Sequence, residues 1–222
     1  MGDQRIQQEE QHTEKRQRLS AEQRRALMLV RAKEVFAQHS YSGASTSELA
    51  SASGVTEPML YKHFGSKKGL FMAVLEHFSQ QFIQEWERRI NYHAQISLKT
   101  ALAELATDFY AVVKADPDVP RVIFQGEAAS ADEPELGEAT GRHIMAVYHI
   151  FRRVLEEAQA AQVIDASVNL DAASWGYMSM AFAMQFSLIY GPHKRTHREP
   201  PSDWMLREAS RLWLRGLLPQ KA

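Results

Sequence analysis

Residues 45–65, STSELASASGVTEPMLYKHFG, hold two helix starts and two helix stops in one short stretch. Ser45-x-x-Glu48 has capping-box spacing, in which the serine hydroxyl and the glutamate side chain satisfy each other's free backbone N–H groups. Thr56 is a second N-cap residue, and Pro58 falls in the first turn, where a missing N–H does no harm. Ser53-Gly54 ends the first helix and Gly65 the second. Two short capped helices joined through Ser53-Gly54-Val55 fit the helix-turn-helix plan, with glycine taking the sharp turn. Leu49 and Ala50 on the first, with Leu60 and Phe64 on the second, supply its small core. Glu57, Met59, Lys62 and His63 are left outward. Such a face can hydrogen-bond phosphates and base edges in a major groove, and the helix starts at Ser45 and Thr56 offer N–H groups to phosphate oxygens. Double-stranded DNA is the partner this implies.

Upstream, Ser20-x-x-Gln23 is another capping box. Leu29, Ala32 and Phe36 recur at helical spacing after it, until Ser40-Tyr41-Ser42-Gly43 breaks the pattern. Residues 1–18 contain one aliphatic side chain, Ile6, among Gln, Glu, Lys and Arg, and read as a mobile polar tail. Downstream, Ser66 caps a long fourth helix. Further helices are expected at about 97–115, 120–130, 135–162, 168–190 and 202–218, with breaks at Asp116-Pro117, Pro134 and the run from Gly191-Pro192 to Pro200-Pro201. No alternating strand pattern survives, so the chain reads as all-α, with about nine helices.

With 45% apolar residues, the 222-residue chain can bury a core unaided, and the absence of cysteine excludes disulfides, thiolate metal sites and cysteine nucleophiles. No segment has the roughly 20 uncharged apolar residues of a membrane span, and nothing at the N-terminus reads as a signal peptide, so a cytoplasmic location is expected. The net charge of −1 hides a segregation: residues 15–68 carry ten basic and four acidic side chains, and residues 69–222 carry fifteen and nineteen. A basic excess confined to the helix-turn-helix end is the footprint of a phosphate-binding surface.

The run from Arg25 to Leu70 resembles the tetracycline-repressor (TetR) family of bacterial regulators. Val35-Phe36, Tyr41, Ser45, Glu48-Leu49-Ala50, Gly54-Val55-Thr56, Leu60-Tyr61-x-His63-Phe64 and Ser66-Lys67 stand in that family's order and spacing. The resemblance implies phosphate contacts by Ser45, Thr46, Tyr61, His63 and Lys67, with Lys68 beside them, and base-facing positions at Thr56, Glu57, Pro58 and Lys62. Two residues depart from the pattern: Ser40 stands where the family has glycine, and Ala44 where threonine is common. The resemblance further implies a DNA-binding domain over 19–65 and an effector-binding and dimerisation domain over 66–222. In that second domain a cavity lies among helices four to seven, and the last two helices pair with a second subunit.

The C-terminal sequence agrees. Over 168–190, Trp175, Met178, Phe182, Phe186 and Ile189 form one apolar stripe and Tyr177, Met180, Met184 and Leu188 another, so this helix should be covered on two sides. Leu206, Leu212, Trp213 and Leu217 continue the apolar surface. Phe82, Trp86, Phe109, Phe124, Met145, Tyr148, Trp175, Met178 and Phe182 are candidates for lining an effector cavity, although each also reads as ordinary core, and such walls favour a small, largely apolar ligand. His77, His93, His143 and His149 lie in the same domain without HxxxH or HExxH spacing, so neither a metal nor another cofactor is expected. Lys194, Arg195 and Arg198 read as part of a solvated loop. No phosphate-cradling glycine loop or nucleophile elbow suggests an enzyme. The expected function is a dimeric, ligand-responsive transcription regulator, more often a repressor than an activator. An effector-independent architectural DNA-binding protein and a haem- or metal-responsive regulator are the alternatives.

Overall fold

The computed structural model describes residues 20–191 and 203–219; the N-terminal tail and the loop carrying Lys194, Arg195 and Arg198 lie outside them. Among the described residues there are nine helices and no strand: α1 (Ala21–Gly43), α2 (Thr46–Ala52), α3 (Glu57–Phe64), α4 (Lys67–Ile96), α5 (Leu98–Ala115), α6 (Asp118–Ala128), α7 (Pro134–Ala160), α8 (Leu170–Tyr190) and α9 (Asp203–Leu217). Both capping boxes form, at Ser20 with Gln23 and at Ser45 with Glu48, and the Ser66 hydroxyl accepts from the Gly69 N–H at 3.0 Å to start α4. Thr56 occupies its expected N-cap position, but its side chain makes no capping hydrogen bond. Helix α6 starts two residues earlier than its sequence suggests, because Pro117 occupies the N-cap and needs no N–H partner there. Helix α7 stops at Ala160, two residues short of 162, where Gln162 turns left-handed at φ 57°.

Packing of α1 to α4 depends on two backbone positions. Gly54 takes φ 66° in the turn between α2 and α3. Gly69, in the first turn of α4, lies so close to the end of α3 that a Cβ there would overlap the carbonyl oxygen of Phe64. A third position is strained: Ser40 kinks the end of α1 with φ 67° and ψ 169°, a region nearly restricted to glycine. Its hydroxyl accepts from the Gly43 N–H at 3.2 Å, and its carbonyl accepts from the Ala44 N–H at 3.1 Å, which holds the corner leading into α2. Ala44 is buried, so the methyl group there is a core contact and not a surface one.

One hydrophobic core runs through the molecule. Leu29, Phe36, Leu49 and Leu60 meet Leu70, Phe71 and Val74 at the start of α4, and the same cluster continues to Trp86, Phe109, Phe151, Tyr177 and Leu217. Trp86 packs edge-on to Phe109 and Phe151, and its indole N–H donates to the Leu105 carbonyl at 3.2 Å, which fixes α4, α5 and α7 together. Helix α8 differs from the two stripes drawn from its sequence. Its buried face is Ser174, Tyr177, Met178, Ala181, Gln185 and Ile189, because small residues at 174 and 181 let the helix approach its neighbours. Trp175 and Phe186 of the first stripe lie outward, and with Trp204, Met205 and Leu212 of α9 they leave large apolar side chains exposed.

Ser40→Gly relieves the left-handed strain at the cost of one hydroxyl hydrogen bond and some chain entropy. A net gain of about 1 kcal/mol is expected, seen as a rise of a few degrees in melting temperature. Ser40→Ala, which keeps the strain and loses the hydrogen bond, should melt below the parent.

Candidate nucleic-acid interface and ligand cleft

Leu49, Ala50 and Leu60 close the contact between α2 and α3, while Phe64 is half-buried beneath the Arg25 guanidinium, 5.2 Å from its ring centre. The helix periodicity then turns Thr56, Glu57, Pro58, Met59, Tyr61 and Lys62 outward as one exposed surface, with His63 at its edge. The structure brings Thr46 and Tyr61 together: their hydroxyls lie 3.2 Å apart where the two helices meet. Tyr61 is 41% exposed, which leaves its ring as well as its hydroxyl open to solvent. The Ser45 hydroxyl is engaged with Glu48, donating to its carboxylate at 2.8 Å and accepting from its N–H at 3.2 Å. The Ser45 backbone N–H, which donates to the same carboxylate at 2.9 Å, and then the hydroxyl keep the Glu48 carboxyl below its ordinary range.

The adjacent lysines differ. Lys67 reaches back over the Tyr41 ring at 5.1 Å and donates to the Ser42 carbonyl at 3.4 Å, both at the end of α1, and partial burial lowers its pKa. Lys68 turns the other way, pairing with Glu135 at 2.9 Å and Glu133 at 3.2 Å, hydrogen bonds that raise its pKa. Tyr41 donates to Glu133 at 3.3 Å, and Lys33 pairs with Asp116, so both ends of α6 are tied to the first four helices.

The nine side chains proposed for a cavity fall in three places. Phe82, Trp86, Phe109 and Phe182 form a chain of edge-on ring contacts in the interior, and Met178 is fully buried. Phe124 stacks edge-on with Phe186 and Tyr190 at the far end of α8. Met145 and Trp175 are exposed; Tyr148 packs on Trp175 and donates to Asp171. None of the nine lines the cleft of about 330 Å³ that opens between α4 and α7. Its apolar walls are Leu75, Ile83, Ala139 and Ala146, and its polar ones include Glu76, Gln80, Arg142 and His143. Only the small residues Ala139 and Ala146, seven apart on α7, signal this opening in the sequence. His143 is buried against Phe82, with ring centres 5.6 Å apart, and its Nδ1 has no hydrogen-bond partner. Burial pushes its pKa down to about 4. Among the described residues no group of three His, Asp or Glu side chains is placed to hold a metal, and no helix is long and apolar enough to cross a membrane.

A compact helix-turn-helix unit sharing its core with a larger all-helical body defines the class: helical helix-turn-helix proteins. A family model described as bacterial regulatory proteins of the tetR family matches residues 28–74. Two curated relatives are similar over about half of the chain: the HTH-type transcriptional activator FasR of Mycolicibacterium smegmatis, 29% identical over 54% of this chain and 52% of its own length, and the HTH-type transcriptional repressor ComR of Escherichia coli, 30% identical over 53% and 57%. The chain thus matches little more than half the length of these relatives. Among solved structures, a TetR-family regulator from Mesorhizobium loti superposes with a TM-score of 0.71 at 19% identity, over 89% of this chain and 96% of that one. Residues 28–74 thus carry the helix-turn-helix segment described by the tetR family model, and the whole chain shares its fold with a TetR-family structure.

The depressed His143 pKa has a thermodynamic consequence. Below pH 6.5 the unfolded chain protonates this histidine while the folded one keeps it neutral down to about pH 4, so its contribution to stability falls as pH drops through that window and stays lost below it. The expected slope approaches about 1.4 kcal/mol per pH unit. Denaturant unfolding of His143→Phe should lose this component between pH 6.5 and 4; a parent and variant with parallel pH profiles would contradict the assignment.

Proposed function

We propose that this protein is a transcription regulator that binds a near-palindromic DNA operator as a homodimer and releases it when a small, largely apolar effector binds. The observation that carries the reading is the single exposed surface of α3, flanked by the paired hydroxyls of Thr46 and Tyr61 and by Lys67. In this reading Thr56, Glu57, Pro58 and Lys62 face base edges, and Ser45, Thr46, Tyr61, His63 and Lys67 hold phosphates. Lys68 is committed to two carboxylates and contributes to position more than to DNA contact. Residues 19–65 serve as the DNA-reading unit and 66–222 as the effector and dimerisation unit, working in the cytoplasm and without catalysis.

Dimerisation through α8 and α9 is supported by the apolar side chains those helices leave uncovered, among them Phe186 at 53% and Leu212 at 58% exposure. To read a near-palindromic site, such a dimer must hold its two copies of α3 about one DNA turn apart, roughly 34 Å. The two curated relatives are named for opposite signs of control, one an activator and one a repressor. Repression relieved by the effector is the sign proposed here. By linkage, an effector that weakens DNA binding must bind the DNA complex more weakly by the same factor.

Selection from random duplex DNA with the purified protein should enrich an inverted repeat. Against that site Lys62→Ala should lose about 1–3 kcal/mol and relax specificity at one position of each half-site, whereas Lys67→Ala should weaken all sequences alike and reduce the salt slope by about one. Binding with no enriched site would favour an architectural role and overturn the operator reading.

A further inference from the structure

Helices α4 and α7 are joined by ion pairs at two levels. Near the first three helices Lys68 pairs with Glu135, and near the other end Glu87 pairs with Arg153 at 2.9 Å. The separation from Lys68 to Glu87 matches that from Glu135 to Arg153 to within one residue, so the two helices run parallel, clasped about 28 Å apart along their axes. Between the clasps α7 presents Ala139 and Ala146 to α4, and the space their short side chains leave is the cleft. Helical spacing places Leu75, Ser79 and Ile83 on the face of α4 that carries Lys68, and Ala139, His143 and Ala146 on the face of α7 that carries Glu135.

The chemistry of the walls is uneven. Arg142 lines the cleft with no carboxylate partner among the described residues, and His143 beside it is more than nine-tenths buried with Nδ1 unbonded. A guanidinium with no carboxylate partner suits a carboxylate, which accepts from its N–H groups; the His143 ring, its Nδ1 buried away from the cleft opening, serves as wall. Glu76 stands in the cleft on α4 and repels an acid head, so it orients such a group toward α7. Leu75, Ile83 and the two alanines are left to cover an apolar body.

We propose that the cleft between α4 and α7 is a binding site for a small organic acid with an apolar body, its carboxylate held by Arg142. Its regulatory meaning rests on the function proposed above: an occupant between the clasps spreads α4 from α7 and works against the Lys68 pairs, one residue from Lys67 and one short turn from α3. Decanoate is the probe, with decanol and decylamine as controls of the same chain length, titrated calorimetrically into the full-length protein. Decanoate should bind saturably, about tenfold or more tighter than either control. Arg142→Gln, at an exposed position, should reduce decanoate to the affinity of decanol and leave decanol unchanged. Glu76→Gln should tighten decanoate, and Ala146→Phe should abolish binding without lowering the melting temperature. No saturable binding, binding no better than decanol, or indifference to Arg142→Gln would overturn the site. Operator binding without any ligand, measured on the same preparation, separates the two readings. If it persists while decanoate fails, the cleft assignment falls alone; if it fails while decanoate binds through Arg142, the regulator reading falls alone.

Discussion

Everything in this molecule depends on α4 being one uninterrupted helix. Its first turns supply Leu70, Phe71 and Val74 to the core beneath α1 to α3, and its later turns supply Phe78, Phe82, Trp86 and Ile90 to the body. Each such side chain stabilises the fold by about 1.5–3 kcal/mol when fully buried, so neither half of the contact can slide without loss of several kcal/mol. The exposed surface of α3 is therefore carried on a lever whose far arm forms one wall of the cleft between α4 and α7. Polar ties limit how the lever moves: Lys33 with Asp116, Tyr41 with Glu133, and Lys68 with Glu133 and Glu135 all cross from the first four helices to the ends of α6 and the start of α7.

Neighbouring charges thus have different work. Lys67 stays at the end of α1, available to a phosphate once it leaves the Ser42 carbonyl. Lys68 is held by two carboxylates at the start of α7 and is the point at which a change in the spacing of α4 and α7 would be felt. Two lysines adjacent in sequence connect the outward chemistry of the module to the interior geometry of the body.

Local signals in the sequence carried a long way. Ser20, Ser45 and Ser66 start helices where their spacing to Gln23, Glu48 and the following apolar run places them, and Gly54 and Gly65 stop helices because positive φ costs glycine little. Even Ser40 is visible as one of two residues out of pattern at a corner, and the corner proves to need a glycine-like conformation there. Tertiary relations were not legible. The pairs Lys68–Glu135 and Glu87–Arg153 join residues 66 or 67 positions apart, and no periodicity within one helix reports which neighbour lies across from it. For the same reason the large apolar residues suggested as cavity walls include Trp86 and Met178, which fill the interior; such side chains close space, and the cleft opens where α7 has alanines. In α8 the apolar stripes were drawn by size, whereas the buried face is set by the small residues Ser174 and Ala181.

The absence of cysteine makes one decisive measurement simple. A single cysteine placed at Ser51, exposed on α2 and outside the residues assigned to DNA, and spin-labelled gives the distance between the two helix-turn-helix units of a dimer by pulsed dipolar spectroscopy. The account predicts one narrow distance, near the roughly 34 Å of a DNA turn after allowance for the label arms, when an operator is bound. It predicts a shifted or broadened distance when an effector is added. No dipolar coupling between protomers on DNA, or a distance that an operator does not sharpen, would contradict it.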